Sequence, residues 1–378
     1  MNSIIIVGDL FPVSSNAKYF AQGDIKHLFG KNICDLFAQA DYRICNLEGA
    51  LTDGNDRCVK TGPVITASTD TVLAYKNLGI DLCMLANNHI TDGGNQGVID
   101  TMRTLDKAGI RHIGGGINES SIPHYLIHTL ADKKVCIYNV CERMYNKSTA
   151  TKAGAWIYDE YVVCKELEAL KSQCDYLIVI YHGGIEKFRY PSPEIKKRFH
   201  RMADSGADVV ISQHTHCIGC EEYYNGAYLL YGQGDFLLMN FRPELTNLGL
   251  IVEILIDKNG MKIKKHMVKC SNVLRLEYVE NPDFASFDER SKKVQDDKYL
   301  EEQFRKFSKQ ELRLYLNAFK SPNRFLYAIK RLFPKLYFNW LISKAYHRND
   351  LLFSLHTLRS EQNREIAIAG IETLLNIK

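Results

Sequence analysis

The sequence predicts an α/β protein whose first 270 residues surround a mainly parallel sheet. Three observations carry that expectation. Short apolar runs of four to seven residues, rich in Ile, Val, Leu and Cys, end in polar or glycine-rich turns, as strands buried on both faces do. Stretches with helical spacing separate most of them, and alternating strands and helices imply parallel strands joined by crossovers. From about residue 281 the strand-like runs stop and helical spacing takes over.

In chain order the strand runs are SIIIVGD (3–9), YRICNLEG (42–49), DLCMLANNH (81–89), KVCIYNVC (134–141), DYLIVIYHGG (175–184) and ADVVISQHTH (207–216). Helices are expected over 70–78, 95–108, 160–172 and 192–205. Ser192-Pro193-Glu194 places a cap and a first-turn proline at the start of the last of these. YLLYGQGDFLL (228–238) and LGLIVEILI (248–256), then the turn DKNG and MKIKKHMV (261–268), read as a β-meander that closes a 1–270 domain. Residues 281–378 read as a helical C-terminal region, with helices over 297–320, 324–346 and 350–376.

Composition narrows the class. A chain of 378 residues with 46% hydrophobic and 24% charged residues is an ordinary globular protein. The formal charge of +4 is uneven: residues 303–348 hold eleven Lys or Arg against the single acid Glu311. Within that segment the aromatic-basic stretch 324–344 has three readings. It is a helix packing its aromatics on the body, an interfacial helix on anionic membrane, or a grip on a polyanion. Pro334 interrupts it. No nucleic-acid motif accompanies the charge, so no nucleic acid partner is expected. Eleven cysteines scattered through apolar runs suit reduced thiols better than a disulfide framework. No run approaches the ~18 apolar residues of a membrane span, and the N-terminus lacks the pattern of a signal peptide. A cytoplasmic protein is expected, with peripheral contact at the inner face of the membrane through 324–344 as one option. The sequence does not indicate an oligomeric state.

The strand ends carry the chemistry. In open α/β sheets ligands bind beyond the carboxyl ends of the strands. Here those ends present Asp9, then Asn46 and Glu48, then Asn87, Asn88 and His89, then His182, then His214 and His216. Carboxylate, amide and imidazole donors together form the ligand set of Zn, Mn or Fe at a hydrolytic centre. ISQHTHCIGC (211–220) also offers Cys217-x-x-Cys220, but a zinc knuckle needs a second pair, and none lies at suitable spacing. The cysteines are therefore expected in the core. GGG at 114–116 is read as a tight turn rather than an anion cradle.

The order VGD, NLEG, ANNH, YHGG and SQHTH resembles the calcineurin-like metallophosphoesterase superfamily. Within it NLEGALT, LANNHITDGG, HGGIE, GADVVISQHTH and YGQGDF resemble the CapA family of capsule synthesis and poly-γ-glutamate biosynthesis. The resemblance spans roughly residues 3–257. It implies a four-layer α/β/β/α sandwich. It also implies Asp9 as a metal ligand, Glu48 as bridging carboxylate, and Asn88, His182 and His214 completing one metal site, with His216 on the other. His89 becomes the general acid, held by Asp92. Asn46, Asn87 and Glu186 are candidates for substrate contact. For Asn87 a role in satisfying the turn backbone is preferred, and Glu186 is equally a solvated loop residue.

This chain departs from the superfamily pattern at Phe11, where a histidine is usual, at Glu48, where an aspartate bridges, and at Gln213 and Gly183. One tight divalent metal and a second, weak position are therefore expected. The implied function is that of a metal-dependent hydrolase or transferase in biosynthesis of a capsular polymer, poly-γ-glutamate or polysaccharide. The alternatives are a phosphomonoesterase or phosphodiesterase on a small soluble substrate and a non-catalytic assembly factor that binds polymer or membrane. The partner is accordingly an anionic polymer or a phosphoester.

Overall fold

The computed structural model describes residues 2–60, 63–130, 132–238, 247–271, 275–318 and 332–333. The chain divides into two units, residues 1–304 and 305–378, and the layered architecture belongs to the first. The expected helices at 324–346 and 350–376, and nearly all of the aromatic-basic stretch 324–344, lie outside the described residues.

Two mixed sheets form, in place of the single mainly parallel sheet that alternation alone suggests. The first contains β1 (Asn2–Leu10), β2 (Tyr42–Leu47), β3 (Leu82–Met84) and β4 (Arg111–Ile113) as a parallel run. The second contains β5 (Tyr125–Leu130), β6 (Lys133–Cys141), β7 (Tyr176–His182), β8 (Val209–Gln213), β9 (Glu221–Tyr224) and β10 (Ala227–Leu230), in the order β9-β10-β8-β7-β6-β5. Strands β6, β7, β8 and β10 are parallel, and β5 and β9 are antiparallel margins. The chain then returns to the first sheet through β11 (Leu248–Asp257), β12 (Gly260–Cys270) and β13 (Leu276–Tyr278), antiparallel beside β1.

The expected meander is thereby corrected. β11 and β12 do form a hairpin, but YLLY ends a strand of the second sheet and GQGDF crosses to the first. An apolar run looks the same in either sheet, so its sequence does not say which one it joins.

Alternation along each strand builds the layers. Ile4, Ile6, Ile44, Leu82, Ile137, Ile178, Ile180, Val209, Ile211 and Val252 form one buried cluster between the two sheets. Their neighbours Ile5, Val7, Cys45 and Cys83 face outward, under α1 (Lys31–Gln39), α2 (Val72–Leu78) and α3 (Gly94–Ala108), and pack with Phe37, Tyr75, Val98 and Leu105. On the far side Cys136, Tyr138, Leu177, Val179 and Val210 pack with Val163 and Leu167 of α4 (Glu160–Lys171) and Phe199 and Met202 of α5 (Pro193–Asp204). A strand buried on both faces must send odd and even residues into different layers, and the result is the four-layer α/β/β/α sandwich. The cap of α5 is as expected: Ser192 accepts from the Ile195 N–H at 3.2 Å, with Pro193 in the first turn.

α6 (Ala285–Lys293) and the start of α7 (Asp297–Ala318) lie against the second sheet side. Buried Lys196 of α5 holds the Val294 carbonyl and the Asp297 carboxylate, both at 2.8 Å. Gly115–Gly116 of the triple glycine pairs antiparallel with Gly154–Ala155. A Cβ at Gly114 would lie 2.1 Å from Asn139 Oδ1, so close packing explains the glycine. Among the described residues no helix is long and apolar enough to cross a membrane.

Phe199 tests the outer layer. It is fully buried, stacked on Tyr231 at 4.9 Å and edge-on to Tyr181 at 5.7 Å. Phe199→Ala should cost about 3–5 kcal/mol in denaturant unfolding. Tyr161→Ala, at a residue 75% exposed on α4, should stay within about 0.5 kcal/mol of the parent. Equal losses at the two positions would contradict this packing.

Candidate metal centre

The parallel strands of both sheets end at one edge, and their terminal residues meet there. Asp9 lies near the end of β1, Asn46 and Glu48 at the end of β2, and Asn87, Asn88 and His89 after β3. From the second sheet come His182, the last residue of β7, and His214 and His216, just past β8. All nine are buried. Asn46 Nδ2 donates to Asp9 Oδ1 at 2.6 Å and lies 3.1 Å from His182 Nδ1. His182 Nε2 is 2.8 Å from Asn88 Oδ1 and 3.4 Å from Glu48 Oε1. His214 donates its backbone N–H to Asp9 Oδ2 at 3.3 Å.

The backbone is strained where the histidines enter. His214 has φ +89° and His216 φ +52°, a left-handed region that residues other than glycine enter at a cost and mostly near functional sites.

The donor atoms are left without partners in the interior. Neither oxygen of Glu48 has a hydrogen bond, nor has His214 Nδ1 or Asp235 Oδ2. Three sets of potential ligand atoms lie mutually within 4.8 Å: Glu48, His214 and His216; Asp9, Glu48 and His182; and Asp9, His216 and Asp235. Burial pushes Asp9 up to about 6, with the Glu48 charge adding to it, and lifts Glu48 as well. Burial pulls His182 down to about 3 and His214 well below its usual range. His216 is also opposed by burial, but Asp235, Glu48 and Asp9 hold its pKa well above the ordinary value. Negative charge is thus concentrated where protein cations are scarce. A divalent ion is the group that such a donor set fits, because it supplies that charge and takes up the orphaned lone pairs.

Around this cluster the other expected residues take distinct places. His89 Nδ1 is 2.7 Å from Asp92 Oδ2. Asn87 donates to Asn46 Oδ1 and the Leu47 carbonyl, and its own oxygen accepts from the His89 N–H. It braces the turn. Glu186 lies on an exposed loop, 3.8 Å from Lys187 Nζ, with its charge acting on His182 and Asp235. Cys217 and Cys220 are buried outside all three ligand sets, and burial raises both thiols, Cys217 to about 11.

Three residues were not anticipated. Asp235, inside YGQGDF, lies 2.8 Å from His216 Nδ1. Glu142 accepts from the Gly184 N–H at 3.2 Å and lies 3.4 Å from His214 Nε2. It directly follows β6, where the strand-end rule already pointed. Lys60 pairs with Asp92 Oδ1 and is 3.1 Å from His89 Nδ1, on a loop whose sequence carries no periodic signal.

Comparison with known proteins follows the same lines. The chain is similar to the "Capsule biosynthesis protein CapA" of Bacillus anthracis, 27% identical over 46% of this chain and 44% of that protein. It is 24% identical to the "PGA biosynthesis protein CapA" of Bacillus subtilis over 60% of each chain. The chain therefore spans less than two thirds of the length of these relatives. Among solved structures, a hypothetical protein from Thermus thermophilus is 14% identical, covering 71% of this chain and 99% of its own, with a TM-score of 0.44. The model of the family described as "Bacterial capsule synthesis protein PGA_cap" matches residues 3–240, and the chain belongs to that family.

Proposed function

We propose that this chain is a metal-dependent hydrolase or transferase in the biosynthesis of an anionic capsular polymer, poly-γ-glutamate or polysaccharide. The observation that carries the chemistry is the buried Glu48 carboxylate, with both oxygens unpaired among Asp9, Asn88, His182, His214 and His216. The names of the Bacillus relatives support the polymer. A reduced cytoplasmic setting belongs to the same proposal and is supported by eleven free thiols.

Asp9, Glu48, Asn88, His182 and His214 would hold a divalent metal such as Mn, Fe or Zn, with His216 toward a second position. When bound, the ion acts as a Lewis acid on the scissile group and on water. The protein's own part in proton transfer falls to His89. Asp92 Oδ2 engages its Nδ1, which leaves Nε2 as the atom that donates to the leaving group. Asp92 is itself held by the Ile65 N–H at 2.6 Å and by Lys60, so the dyad is fixed before substrate arrives. Asn46, itself buried, keeps Asp9 and His182 in register.

One feature favours a second reading, a non-catalytic assembly factor. Phe11 stands two residues after Asp9, at the position where the related phosphoesterases carry histidine. Its ring would lie 2.4 Å from a Cβ at Gly49.

Purified protein reconstituted with Mn, Fe or Zn should hold at least one equivalent by elemental analysis. Asp9→Ala and His214→Ala should lose it, whereas Cys217→Ser/Cys220→Ser should keep it. A wild-type content below a few tenths of an equivalent would remove both enzyme readings. In the loaded protein His89→Ala should lower turnover of p-nitrophenyl phosphoesters by about 10²–10⁴-fold with metal content unchanged. Metal-replete wild type that turns over none of these esters would favour the assembly-factor reading over a generic phosphoesterase.

A further inference from the structure

We propose that Asp235 is itself a metal ligand and that, with Asp9 and His216, it builds the second cation position of this chain, one suited to a hard divalent ion such as Mn²⁺. The inference rests on the metal-centre reading above and adds to it the residue that stands in for the histidine absent at Phe11.

Asp235 reaches Asp9 on the segment that crosses from the second sheet to the first. That segment is tightly seated. The Phe236 and Leu237 N–H groups both donate to the Asp9 carbonyl at 3.0 Å. Gly234 turns the chain with φ +74°. A Cβ at Gly249 would lie 1.8 Å from the Asp235 carbonyl oxygen, so the β11 backbone can approach only through a glycine. The Asp235 carboxylate is thereby held in place whether or not an ion is present. Its Oδ1 lies 2.8 Å from His216 Nδ1, which is also 3.5 Å from Asp9 Oδ2.

An internal His216–Asp235 ion pair is the simplest alternative, and it does not close the account. It engages Oδ1 only. Oδ2 has no hydrogen-bond partner although the residue is 5% exposed, and an unpaired buried carboxylate oxygen is costly. Asp9 and Glu48 bring two further buried carboxyl groups to the same place, and neither oxygen of Glu48 has a hydrogen-bond partner. Two carboxylates and one imidazole carry a smaller share of nitrogen than Asp9, Glu48, Asn88, His182 and His214, and so make the harder donor set. The two positions should therefore differ in preference, the second shifted toward Mn²⁺ relative to Zn²⁺.

The test titrates the full chain with Mn²⁺ by equilibrium dialysis and follows the bound ions by electron paramagnetic resonance. Wild type should take two equivalents, the second producing an exchange-coupled pair, since paired metal sites lie about 3.5–4 Å apart. Asp235→Asn should hold one uncoupled equivalent. Its second dissociation constant should rise by more than the ~100-fold that loss of an outer-shell partner can cost. If Asp235→Asn keeps both ions within ~100-fold, the carboxylate acts only through His216 and the proposal is overturned. Wild type that saturates at one uncoupled ion also overturns it, and this arm decides the matter should the variant fail to fold. Wild type that binds no metal at all removes the metal-centre reading and this inference with it.

Discussion

One side-chain amide joins the two sheets at the edge where the site lies. Asn46 sits at the end of β2 in the first sheet, and its two N–H groups point to Asp9 of the same sheet and His182 of the other. The amide nitrogen lies against His182 Nδ1, and Nε2 of the same ring faces Asn88 and Glu48. A single residue thus sets the spacing between sheets and the orientation of a candidate ligand. One layer below, Gln213 and Gln233 repeat the arrangement. Gln213 Nε2 reaches the Val7 carbonyl and the Gln233 oxygen, and Gln233 Nε2 reaches the carbonyls of Ile6 and Leu250. Buried amides that donate from one element to another favour one relative placement of the elements they join.

The parts of the fold that depend on local periodicity were readable from the chain. Two-residue alternation in SIIIVGD marks Ile4 and Ile6 for one layer and Ile5 and Val7 for the next, and this is how they divide. Ser192-Pro193-Glu194 marked its helix start because capping is a local event. Sheet membership was not readable. β10 and the run that becomes β11 read as successive strands of one meander, yet they lie in different sheets. The choice is made by tertiary contacts such as those of Gln233 with Ile6 and Leu250, which leave no mark in a hydrophobic pattern.

The site divides in a similar way. Polar residues directly beyond apolar runs signal themselves, and Asp9, Glu48, Asn88, His182, His214 and His216 all converge. Glu142 obeys the same rule one residue past Cys141, but an acid after a strand is common and only the geometry sets it beside His214. Asp235 was hidden because its segment, YLLYGQGDFLL, reads as one strand of a meander. Lys60 had no signal of any kind: its loop is attached at Asp92 through Cys58, Lys60 and Ile65, contacts made across more than twenty-five residues of sequence.

The left-handed backbone at His214 and His216 bears on how such a chain could change over descent. Each such residue costs about 1–3 kcal/mol, and a backbone held that way is comfortable only for glycine. A lineage that gave up the imidazoles while keeping the turn would find its easiest substitutions at these two positions to be glycines. A sequence reading QGTG in place of QHTH would then be a fossil of this centre, with the shape of its loop outlasting its chemistry.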